Sequence, residues 1–249
     1  MKSRRNRALE KNPETQPADA GMPAKALSRL LESSSRLQAP MVRAYVARLR
    51  RGHEQSTPAD IVNRLDKHYL ATVMASGAAV GSAAAFPGVG TLAALSAIAG
   101  ETVVFLEATA AYTLALAEVH GIPLDDHERR RNLVLSVLVG TDGEVAMRDL
   151  IGAGRTNGAW LADVDLLPLP VIGQLNSRMM QHFVKKYAIK RSAMAIGKML
   201  PAGIGAVIGG VGNRMMGKKI VGNAHRAFGP APQRWPGTLQ LLPPVADAH

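Results

Sequence analysis

Residues 69–117 read YLATVMASGAAVGSAAAFPGVGTLAALSAIAGETVVFLEATAAYTLALA. In this run Glu101 and Glu107 are the only acidic or basic side chains. Near its middle, Phe86-Pro87-Gly88-Val89-Gly90 supplies a proline and two glycines at which the stretch folds back on itself. The reading is a helical hairpin. Its first arm runs to about Phe86 and its second from about Thr91 to Val119, where Gly121 is the expected stop.

The run is either a membrane element or a buried core. From Tyr69 to Ala85, helix geometry gives about 25 Å, against a hydrocarbon core about 30 Å thick. Alanine and glycine make that arm weakly hydrophobic, and the second arm carries both glutamates. A close-packing hairpin is therefore the first expectation and a transmembrane span the second. Glu101 and Glu107 are treated as buried acids, because an apolar bundle penalises a carboxylate that is neither paired nor protonated. They are read either as a proton or cation site inside the bundle, or as groups at a polar edge paired with an arginine.

Upstream, Ser56-Thr57-Pro58-Ala59-Asp60 is a helix start. Thr57 is suited to capping, Pro58 to the first helical position and Asp60 to the positive end of the dipole. Before it, Val42, Tyr45, Val46 and Leu49 fall at helical spacing, and Arg43, Arg48, Arg50 and Arg51 occupy the rest of the wheel. This basic amphipathic helix docks either on anionic lipid or on the protein body. Residues 1–22 read as a disordered basic tail, and 23–55 as basic amphipathic helices, the first over Ala24–Leu37.

Downstream, Asp125 and Glu128 look like a capping pair introducing the apolar run Leu133–Val139. A short helix to Ile151 and an irregular acidic stretch, 152–165, follow, and Leu166-Leu167-Pro168-Leu169-Pro170 is a break. From Val171 the stripe Ile172, Leu175, Met179, Phe183 and Tyr187 is helical, with Lys185, Lys186, Lys190 and Arg191 around it. Leu200-Pro201-Ala202-Gly203 breaks the chain again before a small-residue helix from Ile204 to about Ala227. The prolines after 229 make 230–249 an extended tail. No sustained period-2 alternation occurs, so the fold class is all-α, with 56–229 as one helical domain.

Glycines four apart leave a smooth helix face that a partner backbone can approach closely. Gly77 and Gly81 precede the break at Pro87, Gly88 and Gly90, while Gly205 and Gly209 follow the break at Pro201. Two hairpins facing each other through these glycines fit the pattern.

The net charge of +11 is uneven. Residues 1–70 carry 14 Lys/Arg and 7 Asp/Glu, residues 71–177 carry 5 and 11, and residues 178–249 carry 11 and 1. Two basic thirds flanking apolar segments suit an anionic surface. In the C-terminal third the cations alternate with methionine, isoleucine and glycine rather than stacking aromatics, so anionic lipid fits better than nucleic acid.

Several chemistries lack their residues. No cysteine is present, which removes disulfides and thiolate nucleophiles. Gly203-Ile204-Gly205-Ala206-Val207-Ile208-Gly209 mimics a dinucleotide fingerprint. It lacks a preceding strand, and no acid lies between Asp165 and Asp247 to hold a ribose. Glu118, His120, Asp125, Asp126 and His127 cluster in sequence, yet helix capping and solvated turns account for them more cheaply than a metal. No apolar run follows the basic N-terminus, so a cleaved signal is not expected. No catalytic residue, cofactor or metal is assigned.

Three places in the chain resemble the EcsC family of bacterial proteins. They are Phe86-Pro87-Gly88-Val89-Gly90-Thr91, then Leu116-Ala117-Glu118-Val119-His120-Gly121 with Asp125-Asp126-His127-Glu128-Arg129, and Leu200-Pro201-Ala202-Gly203 continuing to Asn213. The resemblance spans roughly residues 55–230. It implies a bacterial, helical, membrane-associated protein with no agreed catalytic chemistry. The family name comes from a member encoded beside an ABC transporter, which implies a transport or envelope context. Two functional expectations follow. One is a non-enzymatic protein on anionic lipid at the cytoplasmic face of the membrane. The other is a re-entrant or multipass accessory protein of a transporter, with self-association through glycine faces a further option.

Overall fold

The computed structural model describes residues 40–52, 55–83, 91–141, 145, 161, 167–198 and 204–236. Among the described residues there are six α-helices and no strand, and the chain is all-α as its periodicity indicates. They are α1 (residues 40–51), α2 (Pro58–Ala83), α3 (Thr91–His120), α4 (His127–Val139), α5 (Leu169–Lys198) and α6 (Ile204–Phe228). The breaks at 84–90 and 199–203, the N-terminal 39 residues with the helix expected there, the helix expected after Thr141, and the tail from 237 lie outside the described residues.

Helix ends follow local chemistry. Thr57 Oγ1 accepts from Asp60 N at 3.2 Å, while Asp60 Oδ2 accepts from Thr57 N at 2.9 Å. This reciprocal pair satisfies two donors at the start of α2. At the end of α3, Ile122 N donates to Ala117 O (2.9 Å) and Gly121 N to Glu118 O (3.2 Å), with Gly121 at φ 73°. That pattern closes the last turn in a left-handed residue. The start of α4 differs by one residue from expectation. Asp126, not Asp125, accepts from Arg129 N at 2.9 Å. α5 begins inside the expected break, because Pro170 occupies its first turn, where a missing N–H costs nothing.

α3 is apolar over most of its circumference, and such a helix belongs in the centre of a bundle. Phe105, Leu106, Leu114, Ala115, Leu116 and Val119 are all buried. Each large side chain fully removed from water contributes roughly 1.5–3 kcal/mol. α2 folds back antiparallel on α3: Tyr69 stacks on Tyr112 with centroids 4.6 Å apart, and the Tyr69 hydroxyl meets Thr109 Oγ1 at 2.9 Å. α6 packs on α2, α3, α4 and α5. It runs antiparallel to α2, with Gly210 against Met74 and Ala78, Gly217 against Leu70 and Val73, and His225 against Asp66.

The closest glycine crossing lies further along α6 than the sequence pattern indicates. A Cβ on Gly217 would stand 2.9 Å from both Leu70 Cδ2 and Val73 Cγ2. Gly77 and Gly81 are buried on α2. Gly205 and Gly209 belong to the first turns of α6, and their surroundings lie outside the described residues, as do Pro87, Gly88, Gly90 and Pro201.

α4 and α5 meet through a polar seam inside the core. Asn132 Nδ2 donates to Asn176 Oδ1 (2.9 Å), and Asn176 Nδ2 donates to Glu128 Oε2 (2.8 Å). Buried amides stay in a core only when bonded, and these are. Residues 229–236 carry no helix but lie against the bundle: Trp235 Nε1 donates to Ser56 O (3.2 Å), and Pro236 sits over Gly121.

Candidate membrane-contact surface

Three uncharged helical segments meet at one end of the bundle. Residues 73–83 of α2, 91–100 of α3 and 204–213 of α6 contain no Asp, Glu, Lys, Arg or His. The antiparallel packing brings the three segments to the same pole. Ala75, Ala79 and Ser82 on α2, and Ser96, Ala99 and Gly100 on α3, are exposed there. Val104 and Val211 are 41% and 53% exposed. From Val73 to Ala83 the helix rises about 15 Å, half the thickness of a hydrocarbon core of about 30 Å.

A buried polar junction closes the base of this pole. Asn213 Nδ2 lies 2.7 Å from Glu101 Oε1 and 2.9 Å from Val73 O, so one amide ties α6 to both α3 and α2. Glu101 is buried, as the sequence requires of an acid in this run. Glu107, expected to be buried as well, is exposed. Six residues at 100° each turn it about 120° away from Glu101, onto the solvent side of α3. One partner of Glu101 is the Asn213 side-chain amide.

Beside this pole, α6 presents an outer face of mixed chemistry. Asn213, Gly217, Ile220, Ala224 and Ala227 are buried against the bundle. Val211, Met215 and Lys218 are exposed about 180° round the helix, with Arg214 on their flank. Met215 is 69% exposed. The basic cluster on α5, Lys185, Lys186, Lys190 and Arg191, is placed on a helix, but its side chains lie outside the described residues.

The opposite pole is charged and internally paired. α1 lies on the body with Val42 and Val46 buried, while Tyr45 of the same stripe is 37% exposed. Arg43, assigned from sequence to lipid, reaches Asp125 Oδ1 (2.8 Å) and Glu118 Oε2 (3.7 Å). The Arg43 guanidinium beside Asp125 holds that carboxyl below the usual carboxylate range. Arg50 stands 4.1 Å over the Trp235 ring. Arg48 and Arg51 are exposed.

The titratable groups of the middle layer serve packing. Tyr112 donates to Asp66 Oδ1 at 2.6 Å, and Asp66 Oδ2 meets His225 Nε2 at 2.9 Å, linking α3, α2 and α6. The hydrogen bond to Asp66 raises the His225 pKa, and burial pushes the Tyr112 phenol up. Burial lowers His120, whose Nδ1 meets Leu116 O at 2.8 Å. A cavity of about 180 Å³ lies between His120 and His225. Its lining contains no serine, threonine, cysteine or carboxylate, so the histidines have no nucleophile to activate there. Among the described residues no group of three His, Asp or Glu side chains is arranged to hold a metal.

Sequence reasoning missed two elements of this surface, Asn213 and the exposed Val211–Met215 pair. The absence of acids between Asp165 and Asp247 was the only local signal for the latter. No family model, curated protein or solved structure matches this chain.

Proposed function

We propose that this is a non-enzymatic, EcsC-like helical protein that binds anionic lipid at the cytoplasmic face of a bacterial membrane. The observation that carries the reading is the uncharged pole, where three helices bring segments without any ionisable side chain to one end of the bundle. Segments of that kind lose little on entering the acyl region, because they hold no charge to desolvate. The C-terminal third, with 11 Lys/Arg and 1 Asp/Glu, is drawn to an anionic leaflet.

The pole is one leaflet deep, which favours insertion from one side over a span. Ala99–His120 is long and apolar enough to cross a bilayer, but 67% of it is buried within the bundle. Spanning would strip α3 of α2, α4 and α6 and carry Glu101 into lipid without Asn213.

Flotation of the purified chain with vesicles tests the reading. Binding is expected to phosphatidylcholine vesicles containing phosphatidylglycerol, weakening as salt rises. Failure to float with both charged and neutral vesicles overturns it. Release by alkaline carbonate is expected, and resistance to it supports the integral accessory protein of a transporter instead.

A further inference from the structure

We infer that the outer face of α6 is the headgroup-contacting surface, with Arg214 and Lys218 on lipid phosphates and Val211 and Met215 in the acyl boundary. This deepens the lipid-binding reading and rests on it.

Asn213, Gly217, Ile220 and Ala224 face the core, and Val211, Met215 and Lys218 lie diametrically opposite. These apolar side chains are therefore not the rim of a core; they point directly away from it. Val211 at 53% and Met215 at 69% exposure are two of the most exposed large apolar residues described in the chain. Cations flank them and no acid occurs anywhere in α6, a charge balance drawn to an anionic leaflet.

Depth gives the second argument. Asn213 bonds Val73 O, so Arg214 stands level with the start of the uncharged part of α2. From that level to the end of α2 is about 15 Å, one leaflet of hydrocarbon. When the pole is immersed to that depth, Arg214 and Lys218 arrive at the phosphates. Lysine and arginine stems can lie along apolar surface while their heads stay in the headgroup layer.

The chain has no cysteine, so single labels are clean. Val211→Cys, Met215→Cys and Met41→Cys, each carrying a nitrobenzoxadiazole dye, are compared on vesicles with and without phosphatidylglycerol. Met41 is exposed on α1, the helix whose Arg43 reaches the C-terminal end of α3. Dyes at 211 and 215 are expected to shift blue on anionic vesicles and to be quenched by shallow doxyl lipid, while the dye at 41 stays as in water. Arg214→Gln with Lys218→Gln is expected to weaken partitioning about thirty-fold, at about 1 kcal/mol per basic residue, with the far-ultraviolet circular dichroism unchanged. The inference is overturned if the chain floats while dyes at 211 and 215 remain water-exposed. It is also overturned if the double variant binds as tightly as the parent, or if an oligonucleotide of equal charge displaces the chain from vesicles through these two residues. If no variant and no parent chain floats, the underlying lipid reading fails with it.

Discussion

Asn213 on α6 donates its side-chain amide to Glu101 on α3 at 2.7 Å, and to the Val73 carbonyl on α2 at 2.9 Å. One amide thus joins three helices at the base of the uncharged pole. A buried carboxylate needs donors, and a helix in mid-span has no spare backbone N–H to offer. Asn213 supplies one without adding a charge to the pole.

Replacing Asn213 with alanine removes that donor and leaves the Glu101 carboxyl in a buried site. Urea denaturation at neutral pH is expected to show a loss of about 1–3 kcal/mol, the range for leaving a buried polar group without its hydrogen bond. Glu101→Gln keeps an acceptor for the same amide and is expected to cost less. Equal losses in the two variants would refute the account.

Two glycine-to-alanine changes should move stability in opposite directions. At Gly217 the new methyl meets Leu70 and Val73 at 2.9 Å; Leu70 can turn away, but Val73 is fully buried and β-branched. Overpacking of about 1–3 kcal/mol outweighs the gain of at most about 1 kcal/mol in helix propensity. Gly100 has nothing within 4 Å, so only the propensity gain remains there. Thermal melts of Gly217→Ala and Gly100→Ala should bracket the parent.

The two histidines of the middle layer should shape the pH profile of stability. The Asp66 hydrogen bond raises the His225 pKa, so its contribution is full below the unfolded value of about 6.5 and is lost as pH rises through the folded value. His120 is lowered by burial, so its contribution is present above about 6.5 and is lost as pH falls toward the folded value. Their joint effect peaks near pH 6.5, roughly the unperturbed histidine value. His225→Gln should flatten the alkaline limb of the melting-temperature profile and His120→Gln the acid limb.

The arginines of α1 should separate by their partners. Arg43 and Arg50 are engaged with Asp125, Glu118 and Trp235, whereas Arg48 and Arg51 face solvent. Arg43→Gln is expected to change vesicle partitioning by less than about twofold, since one surface cation near a membrane contributes about 1 kcal/mol and Arg43 is already paired. A drop as large as that of the Arg214 and Lys218 double variant would place α1 on the membrane.

Most of the local structure was legible beforehand. Thr57, Pro58 and Asp60 announce α2, Gly121 ends α3, and the Ile172–Phe183 stripe marks the buried side of α5. These signals act within a few residues of the backbone they control. Asp125 and Asp126 show where that stops. Either aspartate can cap α4; Asp126 does so, while Asp125 engages Arg43, 82 residues away. Glu107 fails for a related reason: an acid in an apolar run reads as buried until the rotation of the helix against its neighbours is known.

The sequence by itself determined the helical class, the start of α2 and the end of α3, the charge division among the thirds, and the scarcity of ionisable groups in the hairpin. Each follows from composition or from interactions between residues near one another in the chain. Only the tertiary structure decided which apolar faces are spent in the core, that α1 packs on the body, that Gly217 makes the tight crossing, and that Glu101 is bonded by a residue 112 positions later. Those outcomes depend on the register in which whole helices pack, and register is set by the summed fit of many side chains rather than by any one stretch.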